Sequence, residues 1–468
     1  LDSGGRSKVL IAGLLMGIFL AAVDSTVVSV AMPTIASSLR GVEIYSWAFT
    51  AYILTSTVSG PLWGRISDVY GRKTIYLMGV LVFLAGSFLC GVATDMFQLI
   101  VFRAVQGLGG GALLVLTFTL VGELFSLKER AKAAGLTSSV WALASIVGPP
   151  LGGLIVDSVG WRWIFYINLP VGAFCVAIAL RELSNVRRGG EGIDVRGALL
   201  FMGAATALLL YLNEFDRLTG APAFLFSSAL LFGVFLYSER RSSTPLLPLH
   251  LFRDRVLRTG FLSNFLAGFI FFGVIAYMPL YLQWVLGLSA TASGTAVLPL
   301  VLGWVLASNA AARLVVRTSV RIPAIISGFS LLAGTLLLTQ LRLGEAVLLT
   351  GFGLVGVGMG FTVSTFLITT QTLVPRNILG VATSILSFLR LIGGAIAAAV
   401  MWIPLGAAFR RVEPATDLTG LLTASEKLAF TNGLTVSMAV AAGAAAIAAL
   451  TVFLTPPLRL TERPQGGA

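Results

Sequence analysis

Asp24 lies inside the run Leu20-Ala21-Ala22-Val23-Asp24-Ser25-Thr26-Val27-Val28-Ser29-Val30-Ala31-Met32-Pro33, where most neighbours are apolar. In a membrane-crossing segment such a charge costs about 2.5–3.5 kcal/mol on insertion scales, so it calls for a function or a partner. One reading is a proton or cation site. The other is a structural carboxylate neutralised by a nearby arginine. The complementary charge is Arg103, in Arg103-Ala104-Val105-Gln106-Gly107-Leu108-Gly109-Gly110-Gly111, again within an apolar run. The glycines after it allow another helix to approach closely.

Two further stretches carry a pattern. Gly64-Arg65-Ile66-Ser67-Asp68-Val69-Tyr70-Gly71-Arg72-Lys73 joins two apolar runs. Its glycines permit a tight turn, and Arg72 and Lys73 stand where topogenic positive charge is expected. Topogenic charge alone would explain the bases. Asp68 among them points to a fixed network, a conformational latch for which Glu123, near the end of the fourth apolar run, is a candidate partner. Gly148-Pro149-Pro150-Leu151-Gly152-Gly153, with Gly135 thirteen residues before Gly148, marks either a hinge or a closely packed helix face. Asn168, Asn264, Gln283, Asn309, Gln371 and Arg390 are polar residues in apolar runs that either line a cavity or bridge helices. Cys90 and Cys175 lie in apolar runs, and His250 is the single histidine. No metal spacing, nucleophile–base set or phosphate loop is present, so neither an enzyme nor a cofactor or metal is expected.

The elements that must position these residues are membrane helices. The chain is 57% hydrophobic and 11% charged, against roughly 25% charged in soluble domains. Its mean hydropathy is +0.93. The apolar runs are continuous rather than alternating, which excludes a β-barrel. The net charge of +12 sits in short loops between the runs, so it argues for topology rather than nucleic-acid binding. The first run, after Arg6 and Lys8, is too long for a signal-peptide core of about 7–15 residues and reads as a retained helix.

About fourteen spans are expected, near 9–32, 45–64, 75–93, 97–121, 132–158, 163–181, 197–213, 221–238, 259–285, 290–310, 323–339, 346–369, 380–405 and 432–455. With the N-terminus inside, 23 of the 32 Lys and Arg residues fall on the cytoplasmic side and 7 outside, leaving Arg103 and Arg390 within spans. Both termini are then cytoplasmic. Asp24 stands ~22 Å from the inner face and Arg103 ~9 Å from the outer face, the same depth in a ~30 Å core. Two charged cytoplasmic loops bracket the seventh and eighth spans. The expected organisation is therefore a six-helix bundle over 1–183, a linker with two inserted helices over 184–256, and a second six-helix bundle over 257–468. The outer loop at about 406–431 is the one long enough for a structured element.

Together these stretches, with Trp161-Arg162-Trp163-Ile164-Phe165-Tyr166-Ile167-Asn168-Leu169-Pro170-Val171-Gly172, resemble the major facilitator superfamily, specifically its 14-spanner drug:proton antiporters. The resemblance implies that Asp24 is the proton-titrating group and Arg103 its partner in proton transfer. It implies that Gly64, Asp68, Gly71 and Arg72 steady one access state, and that Gly148, Pro149, Gly152 and Gly153 form the antiporter motif. Ala144 replaces a glycine usual in that motif, and the second copy of the cytoplasmic signature is degenerate. The expected function is proton-coupled export of lipophilic drugs or monovalent organic cations by a monomer in the plasma membrane. Export of an endogenous lipid or hydrophobic metabolite is the alternative, and a non-transporting receptor a more distant one.

Overall fold

A computed structural model describes residues 3–124, 127–183, 195–214, 221–242, 245, 247, 249–374, 379–410 and 423–460. Among these residues the regular elements are helices, with no strand. That is the outcome hydrocarbon imposes, because a helix satisfies its backbone hydrogen bonds internally. Two compact units divide the chain: Leu1–Leu246 with Gly287–Thr295, and Leu247–Leu286 with Ala296–Thr416 and Leu421–Ala468.

The first unit contains α1 (Ser3–Ser38), α2 (Tyr45–Tyr70), α3 (Arg72–Val92), α4 (Met96–Leu124), α5 (Leu127–Val159), α6 (Trp163–Tyr166), α7 (Asn168–Glu182), α8 (Val195–Glu214) and α9 (Ala221–Arg241). Helix α4 packs between α2 and α3, and α1 packs against α5 and α7. Helices α8 and α9 pair with each other, and α8 lies against α2. The core is built from Leu14, Tyr76, Phe83, Leu113 and Leu116, all buried. In the second unit α10 (Arg255–Leu280) continues into a π-helical turn at Tyr281–Val285. The short α11 (Ala290–Ala296) follows, its residues up to Thr295 clustering with the first unit. Then come α12 (Leu298–Arg317), α13 (Arg321–Leu338), α14 (Glu345–Leu373), α15 (Leu379–Val400), α16 (Trp402–Arg410) and α17 (Ala424–Thr451). Helix α14 packs on α12 and α13, and α10 packs on α15 and α17.

Local chemistry sets the helix ends. Asp254 caps α10 by accepting from the N–H groups of Val256 (2.8 Å) and Leu257 (3.0 Å). Thr423 and Glu426 form a capping box on α17. Gly71, with φ +99°, makes the reversal between α2 and α3 in a conformation that disfavours any side chain. A proline clashes with the carbonyl four residues before it. Helix α6 ends at Tyr166, four before Pro170, and α15 ends at Val400, four before Pro404.

Eleven helices among the described residues are long and apolar enough to cross a membrane. Fourteen spans are expected from the sequence, and the three not among the eleven fall at helices whose side chains are only partly described. At two of them the described apolar parts are Ile146–Val159, within α5, and Arg196–Leu212, within α8. Helix α2 is long enough but rich in hydroxyls, which bond to their own helix: Thr55 to the Ala51 carbonyl (2.8 Å) and Thr57 to that of Ile53 (2.6 Å).

Candidate functional site

In the first unit, glycines bring α4 into backbone contact with its neighbours. A Cβ at Gly86 would collide with the Gln106 backbone, and one at Gly109 with that of Phe83, so α3 and α4 touch directly. Gly107 and Gly111 likewise let α4 meet α2 at Tyr52 and Ser56. This packing fixes Arg103 and Gln106, one helical turn apart on α4, toward α1.

Arg103 Nη1 donates to Asp24 Oδ2 at 2.6 Å and to Gln106 Oε1 at 2.7 Å. The other carboxylate oxygen, Asp24 Oδ1, accepts from Gln106 Nε2 (2.8 Å) and Asn168 Nδ2 (3.2 Å). Ser87 Oγ on α3 accepts from Asn168 Nδ2 (2.8 Å) and Gln106 Nε2 (3.1 Å), and donates to the Phe165 carbonyl (3.0 Å). The Arg103 guanidinium lies 4.1 Å from the centroid of the Tyr52 ring, a cation–π contact. Asp24, Ser87, Arg103, Gln106 and Asn168 are each at most 2% exposed. The cluster is therefore a closed ion pair in low dielectric, with amide donors on the oxygen the arginine leaves free. Such a pair is held by its geometry, since attraction alone barely offsets the loss of hydration.

Asp24 and Arg103, expected at equal depth from the sequence, are in direct contact, and Asn168 joins them from the first turn of α7. Ser87, Tyr52 and the role of Gln106 escaped that expectation. Gln106 was legible in principle, being three residues from Arg103 and on the same helix face. Ser87 gave no signal within its apolar run.

Other expected residues are placed as follows. Arg72 is buried and donates to the Gly64 carbonyl (3.2 Å) and to Ser67 Oγ, which ties the start of α3 to the end of α2. Lys73 Nζ donates to the Leu180 carbonyl at 2.6 Å. The side chains of Asp68 and Glu123, and the surroundings of Gly135, lie outside what the structure describes. Gly148 and Gly152 face Thr26 and Val27, so α5 packs against α1 just beyond Asp24. The Pro149 carbonyl faces Gly294, and Gly153 faces the backbone of Ala290 and Thr291. Nearby, Asp157 accepts from the Thr291 N–H (2.9 Å) and hydroxyl (2.6 Å). In the second unit Asn264 meets Arg390 at 3.3 Å. Gln283 lies in the π-helical turn, Asn309 is exposed and donates to its own Val305 carbonyl (3.1 Å), and Gln371 is exposed. The outer loop expected at 406–431 is shorter than that: α16 continues to Arg410 and α17 starts at Ala424, and 411–422 lie outside the described residues.

A family profile described as Major Facilitator Superfamily matches residues 14–398. Multidrug transporter protein MdtP of Bacillus subtilis (strain 168) is 37% identical over 402 residues, spanning 84% of this chain and 74% of that protein. Multidrug resistance protein 3 of the same organism is 33% identical over 400 residues, spanning 83% of this chain and 77% of that protein. Among solved structures, the crystal structure of a bacterial homologue of the human lysosomal transporter Spinster, inward-facing and unoccupied, superposes with a TM-score of 0.67. It is 16% identical and covers 97% of this chain and 98% of that one, a likeness of fold.

Proposed function

The chain belongs to the Major Facilitator Superfamily and is a multi-pass membrane transporter rather than an enzyme, and from that premise we propose that it exports lipophilic drugs or monovalent organic cations across the plasma membrane in exchange for protons. The observation that carries this reading is the closed cluster of Asp24, Arg103, Gln106, Asn168 and Ser87. The two relatives named as multidrug transporters support drug efflux.

Asp24 exchanges the proton. In the closed cluster its carboxylate is matched by Arg103, so a proton arriving on Asp24 removes the reason for the contact and leaves Arg103 to its other partners, Gln106, the Ala48 carbonyl and the Tyr52 face. Loss of the proton restores the pair. Two alternative arrangements of one buried charge are the bistable element that alternating access requires. Asn168, at the break before α7, holds the carboxylate in register. Gly64, Gly71 and Arg72, with Asp68 and Glu123, form the latch that steadies one access state. Gly148 and Gly152 keep α5 close to α1 as Asp24 changes state, while Pro149 and Gly153 hold α5 against the short α11, and Gly135 belongs to the same motif.

In the same reading the chain carries fourteen spans, as in the 14-spanner drug:proton antiporters, with both termini cytoplasmic and a two-helix insert at 184–256 between bundles at 1–183 and 257–468. It works as a monomer. The test is transport by the purified chain in liposomes under an imposed pH gradient. A dye that accumulates against its gradient, and fails to when the gradient is collapsed, supports the reading. Movement of a labelled lipid with no movement of dyes would replace the substrate class by an endogenous lipid. Gradient-independent movement of either would remove proton coupling.

A further inference from the structure

Arg390 is a charge in the second unit that the proton cycle does not use. It sits about eleven residues from either end of α15, or ~16 Å of helix each way, too far for the side chain to reach an interface. The backbones of α10 and α15 touch there, because Gly268 faces the Arg390 carbonyl and Gly393 faces that of Phe265. This contact sets Arg390 beside Asn264: Nη1 donates to Asn264 Oδ1 at 3.3 Å, and Nη2 to Ser387 Oγ at 3.4 Å. Asn264 is 1% exposed and held in place by its own donation to the Gly260 carbonyl at 3.0 Å.

Among the described residues no carboxylate pairs with Arg390, whereas Arg103, the other deep arginine, has one at 2.6 Å. Both of its bonds are long and to neutral groups, and the side chain is only half-buried. An arginine at mid-membrane depth without a counter-charge costs several kcal/mol, a cost that an arriving anion would offset. The guanidinium presents a planar fork suited to a carboxylate, sulfonate or phosphate. Two aromatic rings lie one helical turn away: Phe366 against Gly260, a turn before Asn264, and Phe272 against Gly394, a turn after Arg390.

We propose that Arg390, positioned by Asn264, binds the acidic group of an amphiphilic substrate, so that lipophilic monoanions join the molecules this transporter carries. The proposal deepens the export reading above and rests on it for transport, though not for binding. It complements the cation expectation. A cation can be matched by Asp24 in the first unit, and an anion by Arg390 in the second. A free acid and an anionic lipid head share the recognising chemistry, and the half-buried guanidinium fork favours the free acid.

The experiment measures binding of 1-pyrenebutanoate and of its neutral methyl ester to the purified full chain in phosphatidylcholine nanodiscs, by pyrene fluorescence. The acid is expected to bind at least ~10-fold more tightly than the ester. In Arg390→Gln the ratio should fall to about one. Asn264→Asp, which supplies an internal counter-charge and guards against a folding artefact, should abolish the preference as well. Arg390→Lys should retain part of it. Competition by added phosphatidylglycerol would support the same anion site and identify a lipid head as its occupant. A wild-type ratio near one, or a ratio unchanged in both Arg390→Gln and Asn264→Asp, would overturn the proposal. A retained acid preference in a chain that transports nothing would leave the binding site standing and sink the export reading instead.

Discussion

Replacing Asp24 alone leaves Arg103 buried with neutral partners, the Gln106 amide, the Ala48 carbonyl and the Tyr52 ring. Breaking one side of a buried pair costs about 3–5 kcal/mol. Asp24→Asn should therefore lower the thermal unfolding temperature as well as abolish proton-driven transport. The double variant Asp24→Asn with Arg103→Gln should recover most of the stability while transport stays uncoupled. Differential scanning fluorimetry beside a liposome assay separates the two effects, and a double variant that pumps uphill would remove Asp24 from the coupling. Asn168 offers a milder probe. Its amide donates to Asp24 Oδ1 at 3.2 Å and to Ser87 at 2.8 Å. Losing a donor that fixes the carboxylate loosens its placement, so Asn168→Ala should slow proton-driven transport several-fold and change its pH profile. An unmoved profile with a normal rate would make Asn168 a packing residue. At this scale the sequence was informative where charge was involved. An acid and a base at one depth in hydrocarbon have few alternatives to meeting. Ser87 was invisible because a hydroxyl inside a helix usually satisfies itself on its own backbone, and nothing in its neighbours marks this one as turned outward.

Between residues and molecule stand the helix contacts that aim the cluster. The glycines of α3 and α4 allow backbone contact at Gly86 and Gly109, and a side chain at either position meets main chain rather than a movable side chain. Gly109→Leu should destabilise the protein by about 1–3 kcal/mol, the usual cost of overpacking. It should also slow transport without altering which compounds are bound, as thermal unfolding and dye-binding titrations would show. Pro170 belongs to the same scale. By ending α6 at Tyr166 it frees α7 to begin at Asn168, in reach of Asp24. Pro170→Ala restores a backbone N–H and should let the two helices join, reducing transport several-fold while the fold persists. Unchanged transport would mean that the break is set by Gly91, which meets the Tyr166 ring, rather than by the proline. Proline breaks and glycine contacts are legible in sequence as possibilities. Which glycine meets which helix is not, because a span of period 3.6 offers small residues on several faces. The sequence count of fourteen spans and the eleven that qualify by length and composition differ at α2 and the segments near α5 and α8. In each of these helices only part of the side chains is described.

At the scale of the whole molecule, charge decides what can be carried. Asp24 and Arg103 cancel in the closed cluster, leaving Arg390 as the deep charge without a carboxylate among the described residues. A dication would lack a second counter-charge and leave one of its charges unpaired in low dielectric, so divalent substrates should be poor ones. If one proton exchanges for one substrate, a monocation moves without net current, whereas a neutral molecule moves with one charge per cycle. Transport of the neutral molecule should then respond to membrane potential, since one charge across ~100 mV is worth ~2.3 kcal/mol. Liposomes with the potential clamped by potassium and valinomycin would read this, and potential-independent export of a neutral dye would refute a one-for-one exchange. The most direct test of proton coupling through Asp24 is uphill dye transport at fixed pH gradient and zero potential, compared between the wild-type chain and the folded Asp24→Asn, Arg103→Gln variant. The wild-type chain should concentrate the dye several-fold and the variant should only equilibrate it. Equal accumulation by both would contradict the account.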